Sequence, residues 1–302
     1  MTSLFDIDLL AATFRIMTPI LLAGLGGVFC WKASIFNIGL EGFMLIGSFF
    51  AIYLADMTGN IWLGLLGGVI SGIFLSLIFA IATLIYKANE LIVGIAINLM
   101  AYGLTSFLLR NVFGASGVYR PINLEPLPKI YLPFLENVPF LGPALNGQTP
   151  LVYVSLLFIL ITYLLLYKTP FGLSVRCIGE NEEAARTAGI NSIKIKLLSI
   201  IWSGALCGLA GAHLSTGYVF EFSENMVQGR GFTAVSAIVF GGADPSLTFI
   251  ASLVFAFADA FGFRLQLESF GIPPELMKMF PYLLAIIVIT ISSAIRQKRN
   301  NL

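Results

Sequence analysis

The sequence predicts an all-α protein, a polytopic transmembrane helical bundle of about 8–10 spans with one broken or re-entrant segment. Three observations carry that expectation. Of 302 residues, 58% are hydrophobic and only 11% are charged, against about 25% charged in ordinary soluble domains. The mean hydropathy is +0.91. The apolar residues fall in long continuous runs of the length a bilayer crossing needs, about 20 residues. They do not form the short alternating segments of a β-barrel. Within lipid such runs must be helical, because no water is present to satisfy backbone N–H and C=O groups.

Taken in order, the predicted spans are roughly 9–30, 38–56, 60–86, 89–110, 150–168, 196–219, 246–264 and 276–296. The apolar piece 231–241 is too short to cross alone and runs into GGADPS. It reads as half of a broken helix or a re-entrant segment, tolerated only where protein or a cavity covers the backbone. The loop 111–149 holds Pro121, Pro126, Pro128, Pro133, Pro139 and Pro143, so it is expected to be ordered but irregular. Gly64, Gly68 and Gly72 recur every four residues, as do Gly204, Gly208 and Ala212. That spacing lets helix backbones approach closely in lipid, and it reads as ordinary helix packing.

Basic residues set the orientation. Arg296, Lys298 and Arg299 follow the last span and place the C-terminus in the cytoplasm. Lys168, Arg176, Arg186, Lys194 and Lys196 place the segment between the fifth and sixth spans on the same side. Lys32 and Lys87 follow if 231–241 makes one inward pass. The N-terminus, with Asp6 and Asp8, then lies outside, as does the loop 111–149. The start MTSLFDIDLL lacks the basic residues of a cleavable signal, so the whole chain is expected to be retained. A net charge of +1 points to no nucleic-acid partner. Cys30, Cys177 and Cys207 are too scattered for a disulfide framework or a metal site.

The most informative stretch is the polar island KTPFGLSVRCIGENEEAARTAGINSIKIK at 168–196. Asn181 is suited to cap a helix. Glu182 and Glu183 follow in the first turn, where the helix dipole favours negative charge. Ala184, Ala185 and Ala188 favour helix, and Gly189 suits the left-handed position after it. A helix of about two turns is too short to stand alone. It must pack on the membrane body or on a partner. On these grounds alone it is equally well a capped connector.

Four segments resemble a known family. Glu183-Ala184-Ala185-Arg186-Thr187-Ala188-Gly189 is similar to the EAA-type loop of bacterial ABC importer permeases. FNIGLEGFMLIGSF at 36–49, ANELIVGIAINLMAYG at 88–103 and GRGFTAVSAIVFGGADP at 229–245 resemble the branch serving branched-chain amino acids, simple sugars and nucleosides. They occur in the family's order. The resemblance implies one permease domain over 1–302, with a coupling segment at 169–195 seated on a cytoplasmic ABC ATPase. Glu182, Glu183, Ala184, Ala185, Arg186, Ala188 and Gly189 would carry the coupling. The chain has no Gly-rich phosphate loop of its own, so the partner ATPase would use the ATP and this chain would bind no cofactor. The resemblance also implies a second, non-identical permease subunit and an extracytoplasmic substrate-binding lipoprotein. Residues 37–42 and 89–90 look most like the nucleoside-type members. Sugar or branched-chain amino acid transport is the alternative. The implied location is the bacterial plasma membrane, embedded in lipid.

Asn37, Glu41 and Asn98 are the candidate residues of the substrate pathway. Asn37 and Glu41 are four apart and share a face if the helix starts early enough. A charge at mid-helix costs about 2.5–3.5 kcal/mol on insertion scales. Two readings of Glu41 stand: a polar patch on the route, or a structural carboxylate bound to backbone amides. Asn98 either lines the route or bonds a neighbour. Arg230 and Asp244 mark the ends of the short apolar piece. His213 reads as a packed residue. An ion-driven secondary transporter would need several embedded acids, and Glu41 and Asp259 are the main ones. No HExxH or nucleophile–base arrangement points to an enzyme.

Overall fold

A computed structural model describes residues 7–122, 124–133 and 141–267. The predicted span 276–296 and the Arg296, Lys298, Arg299 cluster lie outside the described residues. Eleven α-helices account for most of the described chain: α1 Ile7–Lys32, α2 Leu40–Thr58, α3 Ile61–Ala80, α4 Glu90–Phe113, α5 Leu141–Leu145, α6 Pro150–Lys168, α7 Pro170–Glu180, α8 Glu182–Thr187, α9 Ser192–Ala212, α10 Arg230–Phe240 and α11 Pro245–Leu267. Seven of them, two lengthened by π-turns at Ile81–Ile85 and His213–Tyr218, are long and apolar enough to cross a membrane. They match the first seven predicted spans.

Helix α1 is the axis of the bundle. From Ile16 to Cys30 every residue is buried, as expected for a helix that is apolar on all sides. It packs on α2, α6, α9, α10 and α11. Pro19 lies inside it and leaves the carbonyl of Arg15 without its helical donor. His213 is fully buried close to that carbonyl, outside hydrogen-bonding geometry. Helix α4 is at the rim. Only 22% of its most apolar window is buried, against 78% for α1. Leu99, Phe107 and other large apolar side chains of α4 point outward.

The glycine spacing is the α3–α9 contact. A β-carbon on Gly72 would lie 2.8 Å from Gly208 Cα, and one on Gly68 would lie 2.8 Å from Ala212 Cβ. The backbones touch, so any side chain there would have to push the helices apart.

One end of the bundle carries the charged island. There Ser34 donates to the carbonyl of Gly179 at 3.0 Å. Lys32 Nζ donates to that of Gly242 at 3.4 Å. At the opposite end, two short strands, β1 Val118–Tyr119 and β2 Phe222–Ser223, pair antiparallel with Val118 opposite Ser223. Tyr119 donates to Asp56 Oδ2 at 2.7 Å. Burial and that carboxylate push the Tyr119 phenol up to about 12, so the bond persists at any physiological pH. Beyond the end of α4 at Phe113, and apart from β1, the turn of helix α5 and one bridge between Ile130 and Gln148, the described part of the proline-rich loop has little regular structure.

Between α9 and α11 the chain runs from β2 at the opposite end to Gly242 at the island end. It does so as an irregular stretch, 224–229, followed by the short helix α10. This is the broken crossing anticipated at 231–241.

Candidate functional site

The break places the N-terminus of α10 inside the bundle, where its free N–H groups need partners. Glu41, in the first turn of α2, supplies them. Its Oε1 accepts from Gly229 N–H and its Oε2 from Gly231 N–H, both at 2.7 Å. The N–H of Arg230 goes to the carbonyl of Val227 at 3.1 Å. Each hydrogen bond to a charged group is worth about 1.5–3 kcal/mol. Two of them offset the cost of about 2.5–3.5 kcal/mol for a charge within a membrane helix. The close approach needs glycine: a β-carbon on Gly231 would lie 2.6 Å from Glu41 Cα.

Helix α2 itself starts without a cap of its own. Asn98, two turns into α4, provides one. Its Oδ1 accepts from Gly42 N–H at 2.8 Å, and its Nδ2 donates to the Ile38 carbonyl at 3.1 Å. A neighbouring side chain, Glu90, accepts the N–H of Phe36 at 2.6 Å. The expectation that Asn37 shares a helix face with Glu41 is corrected: α2 begins at Leu40 and Asn37 precedes it. Its Oδ1 accepts from Gly39 N–H at 2.9 Å, a local turn that competes with helix. Its Nδ2 reaches Ser203 Oγ at 3.5 Å. The structure therefore brings Asn37, Glu41 and Asn98 together around the linker 33–39 and the start of α2. All three spend polar atoms on fixing backbone.

Arg230 donates through one guanidinium nitrogen to the carbonyls of Met226 and Val227, both at 3.2 Å. It thereby holds the irregular half of the crossing. Asp244 caps α11 through the N–H groups of Ser246 and Leu247 and accepts from Tyr167 at 2.9 Å. Both residues lie at the ends of the short apolar piece, and each also fixes backbone there.

The island is two helices. Thr169 caps α7 by accepting from Gly172 N–H at 3.2 Å, with Pro170 in the first turn. The sequence reading missed α7, although Thr-Pro is a start signal. Asn181 ends α7 and caps α8, accepting from Ala184 N–H at 3.0 Å. At the other end Ile190 N–H reaches the Ala185 carbonyl and Gly189 N–H that of Arg186, with Gly189 at φ +85°. That pair of bonds is the glycine-dependent helix stop. Glu182 pairs with Arg186 and Lys196, each at 2.7 Å. Ala185 is buried, whereas Glu183, Ala184, Arg186, Thr187, Ala188 and Gly189 are exposed. Beneath α8 lies a cavity of about 720 Å³, lined by Trp31, Ser34, Arg176 and Ala184 among others. A capped helix therefore borders an open cleft with its alanines Ala184, Ala185 and Ala188.

Comparison with known proteins follows the same lines. The family described as "Branched-chain amino acid transport system / permease component" matches residues 9–289. The guanosine ABC transporter permease protein NupQ of Bacillus subtilis is 35% identical, over 92% of this chain and 90% of the relative. The nucleoside ABC transporter permease protein NupC of Lactococcus lactis subsp. cremoris is 34% identical, over 91% and 88%. The glucose ABC transporter permease protein TsgB13 of Haloferax volcanii is 28% identical, over 90% and 73%. A bundle with seven apolar spans among the described residues and a capped break, matched over residues 9–289 by that family and over about nine-tenths of its length by such relatives, belongs to the permease components of the branched-chain amino acid transport system family and is a membrane subunit of an ABC transporter.

Proposed function

We propose that this permease imports nucleosides. The observation that carries the substrate class is the closure of α10 by Glu41. In broken membrane helices an open N-terminus is where an anionic group of a substrate docks. Here a carboxylate of the chain already holds that place, and the amides of Gly229 and Gly231 are not free for the carboxylate of a branched-chain amino acid. A neutral solute fits. The guanosine, nucleoside and glucose permeases that resemble this chain favour the same class, and the first two favour nucleosides within it.

In this reading the chain does no covalent chemistry and binds no cofactor. A cytoplasmic ABC ATPase binds and hydrolyses ATP against the island 169–195, and Glu182, Glu183, Ala184, Ala185, Arg186, Ala188 and Gly189 pass its motion on. A ligand biases a conformational equilibrium only through unequal contact with its two states. The open cleft bordered by Ala184 and Ala188 supports such a contact. A second, non-identical permease completes the route, and an extracytoplasmic lipoprotein delivers the solute. Asn37, Glu41 and Asn98 border the route as its frame, with their polar atoms turned to backbone and, for Asn37 Nδ2, to the Ser203 hydroxyl. The chain sits in the bacterial plasma membrane with the island and C-terminus in the cytoplasm and the N-terminus outside.

The test is ATP-dependent uptake by the complete transporter in proteoliposomes, with radiolabelled guanosine, glucose and leucine as probes. Guanosine alone should accumulate. Glucose without guanosine would move the chain to sugars, and leucine alone would overturn the argument from Glu41.

A further inference from the structure

We propose that the groove between α6 and α11 binds one anionic phospholipid, with an acyl chain along α6 and the phosphate held by Arg176 and Lys168 at the island end. The proposal rests on the membrane-spanning bundle and on no reading of the solute.

Helices α6 and α11 both pack on α1, and a cavity of about 430 Å³ lies between them. Leu156, Ile159, Leu160 and Tyr163 of α6 line it, with Ser246 and Phe249 of α11. Spacings of three, four and seven residues put the α6 side chains on one helix face, over about 10 Å of its length. Only 28% of the apolar window of α6 is buried, so this helix turns most of its surface away from the bundle. Leu160 and Tyr163 are exposed. The wall is apolar except toward the island, where Tyr163 and Ser246 bring hydroxyl groups. A hydrocarbon chain topped by ester oxygens matches that order.

The same end is basic. Helix α6 finishes at Lys168, which is exposed, and the chain turns through Thr169 into α7. The turn is tight, since a β-carbon on Gly172 would run into the carbonyls of Leu165 and Leu166. One turn beyond Gly172, the Arg176 guanidinium lies over the Tyr167 ring, 5.2 Å from its centroid. That ring is 5.0 Å from the ring of Tyr163 on the groove wall. Two ring contacts thus join the guanidinium to the groove. Arg176 Nε is buried without a hydrogen-bond partner, and neither Arg176 nor Lys168 forms an ion pair among the described residues. Asp244, the acid bonded to Tyr167, also accepts from the amides of Ser246 and Leu247.

Two cations at the end of an apolar groove call for an anion that carries a chain. On the sidedness proposed above, the adjoining leaflet is the cytoplasmic one, whose anionic lipids attract Lys and Arg near the surface. Tyrosines favour the same depth. A protein partner would have to bring its own acid there, whereas the bilayer supplies one. Bound at this place, the phosphate ties α7 to the end of α6 and steadies α8, which packs on α7.

The experiment places the photocrosslinker p-benzoylphenylalanine at Leu160 and reads the mass of the crosslinked chain. The complete transporter is held in nanodiscs of equal phosphatidylglycerol and phosphatidylcholine with identical acyl chains. Phosphatidylglycerol adducts should exceed phosphatidylcholine adducts about fivefold, the worth of one cation near an anionic surface. Lys168→Gln should lower that preference, and Lys168→Gln with Arg176→Gln should bring it to the supplied ratio. Arg176→Lys should keep it. Size-exclusion chromatography confirms that each variant assembles, and the exposed Lys168 gives a reading even if the double variant does not. Adducts in the supplied ratio in the wild type mean bulk lipid only and overturn the proposal. So do a preference that assembled variants leave unchanged, a crosslink to the second permease in place of lipid, and the absence of any lipid adduct.

Discussion

Glu41 and Gly231 fit only as a pair. The carboxylate accepts the Gly231 N–H at 2.7 Å, and a β-carbon on Gly231 would sit 2.6 Å from Glu41 Cα. The absent side chain lets α10 come close enough to be capped by α2.

Glu41→Gln should therefore destabilise the folded bundle. An amide offers one acceptor and one donor group in place of two acceptors. One of the two N–H groups of α10 is left unpaired, at a cost of about 1–3 kcal/mol. Glu41→Ala orphans both and should cost more. Thermal unfolding in detergent checks the order: wild type, then Gln, then Ala. A Gln variant as stable as wild type would show that the charge and its second bond contribute nothing.

Gly189→Val should leave the protein inserted and uncouple it. Nothing lies within 4 Å of a β-carbon at this position, so the effect is confined to the backbone at φ +85°. A residue with a β-carbon pays about 1–2 kcal/mol for that conformation, and a branched one more. The stop of α8 loosens. Transport should be lost, with ATP hydrolysis by the assembled transporter no longer stimulated by solute. Normal uptake would remove α8 from the coupling path.

The α8 segment should loosen in acid. Lys196 holds the Glu182 carboxyl below its ordinary value of 4.5, against the opposing effect of burial and with help from Arg186. A lowered value means that the stabilisation is fully present above about pH 4.5 and is lost as the pH falls through the lowered one. A spin label at Ala188→Cys should be equally restrained from pH 7 to pH 5 and gain motion below that. In Glu182→Gln the label should already be freer at pH 7 and change little on acidification.

Sidedness is checked by labelling. In a chain lacking native cysteines, Asn181→Cys should react with a membrane-impermeant reagent only after the membrane is opened. Ser116→Cys, at the opposite end, should react in intact cells. Reaction of position 181 from outside would invert the orientation and end the coupling assignment.

The parts of this architecture visible in sequence are those with a local signal. Seven spans follow from runs of apolar residues, the start and stop of α8 from Asn181 and Gly189, and the α3–α9 contact from glycine spacing. For Glu41 and Asn98 the sequence allows a structural role, bound to backbone amides or to a neighbour, but not the identity of the partner. Each caps a helix other than its own, and the bonded residues are 188 and 190 apart for Glu41 and 56 apart for Asn98. No periodicity encodes such a pairing. The β1–β2 pair escaped for the same reason: two residues on each side give no alternation to detect. Helix α7 is different, since Thr169 and Pro170 carry a local helix-start signal.

Borrowed caps have a consequence for how the chain is made. Synthesis delivers α2 first, with its leading amides open, and the residue that closes them, Asn98, emerges only with α4. Glu41 is in place long before α10 leaves the ribosome, so α10 arrives at a receptor already built. A product ending before α4 would hold an unfinished α2, whereas one ending after α9 would hold a waiting carboxylate with nothing to bind. Helix α4 closes α2, and α2, once closed, closes α10.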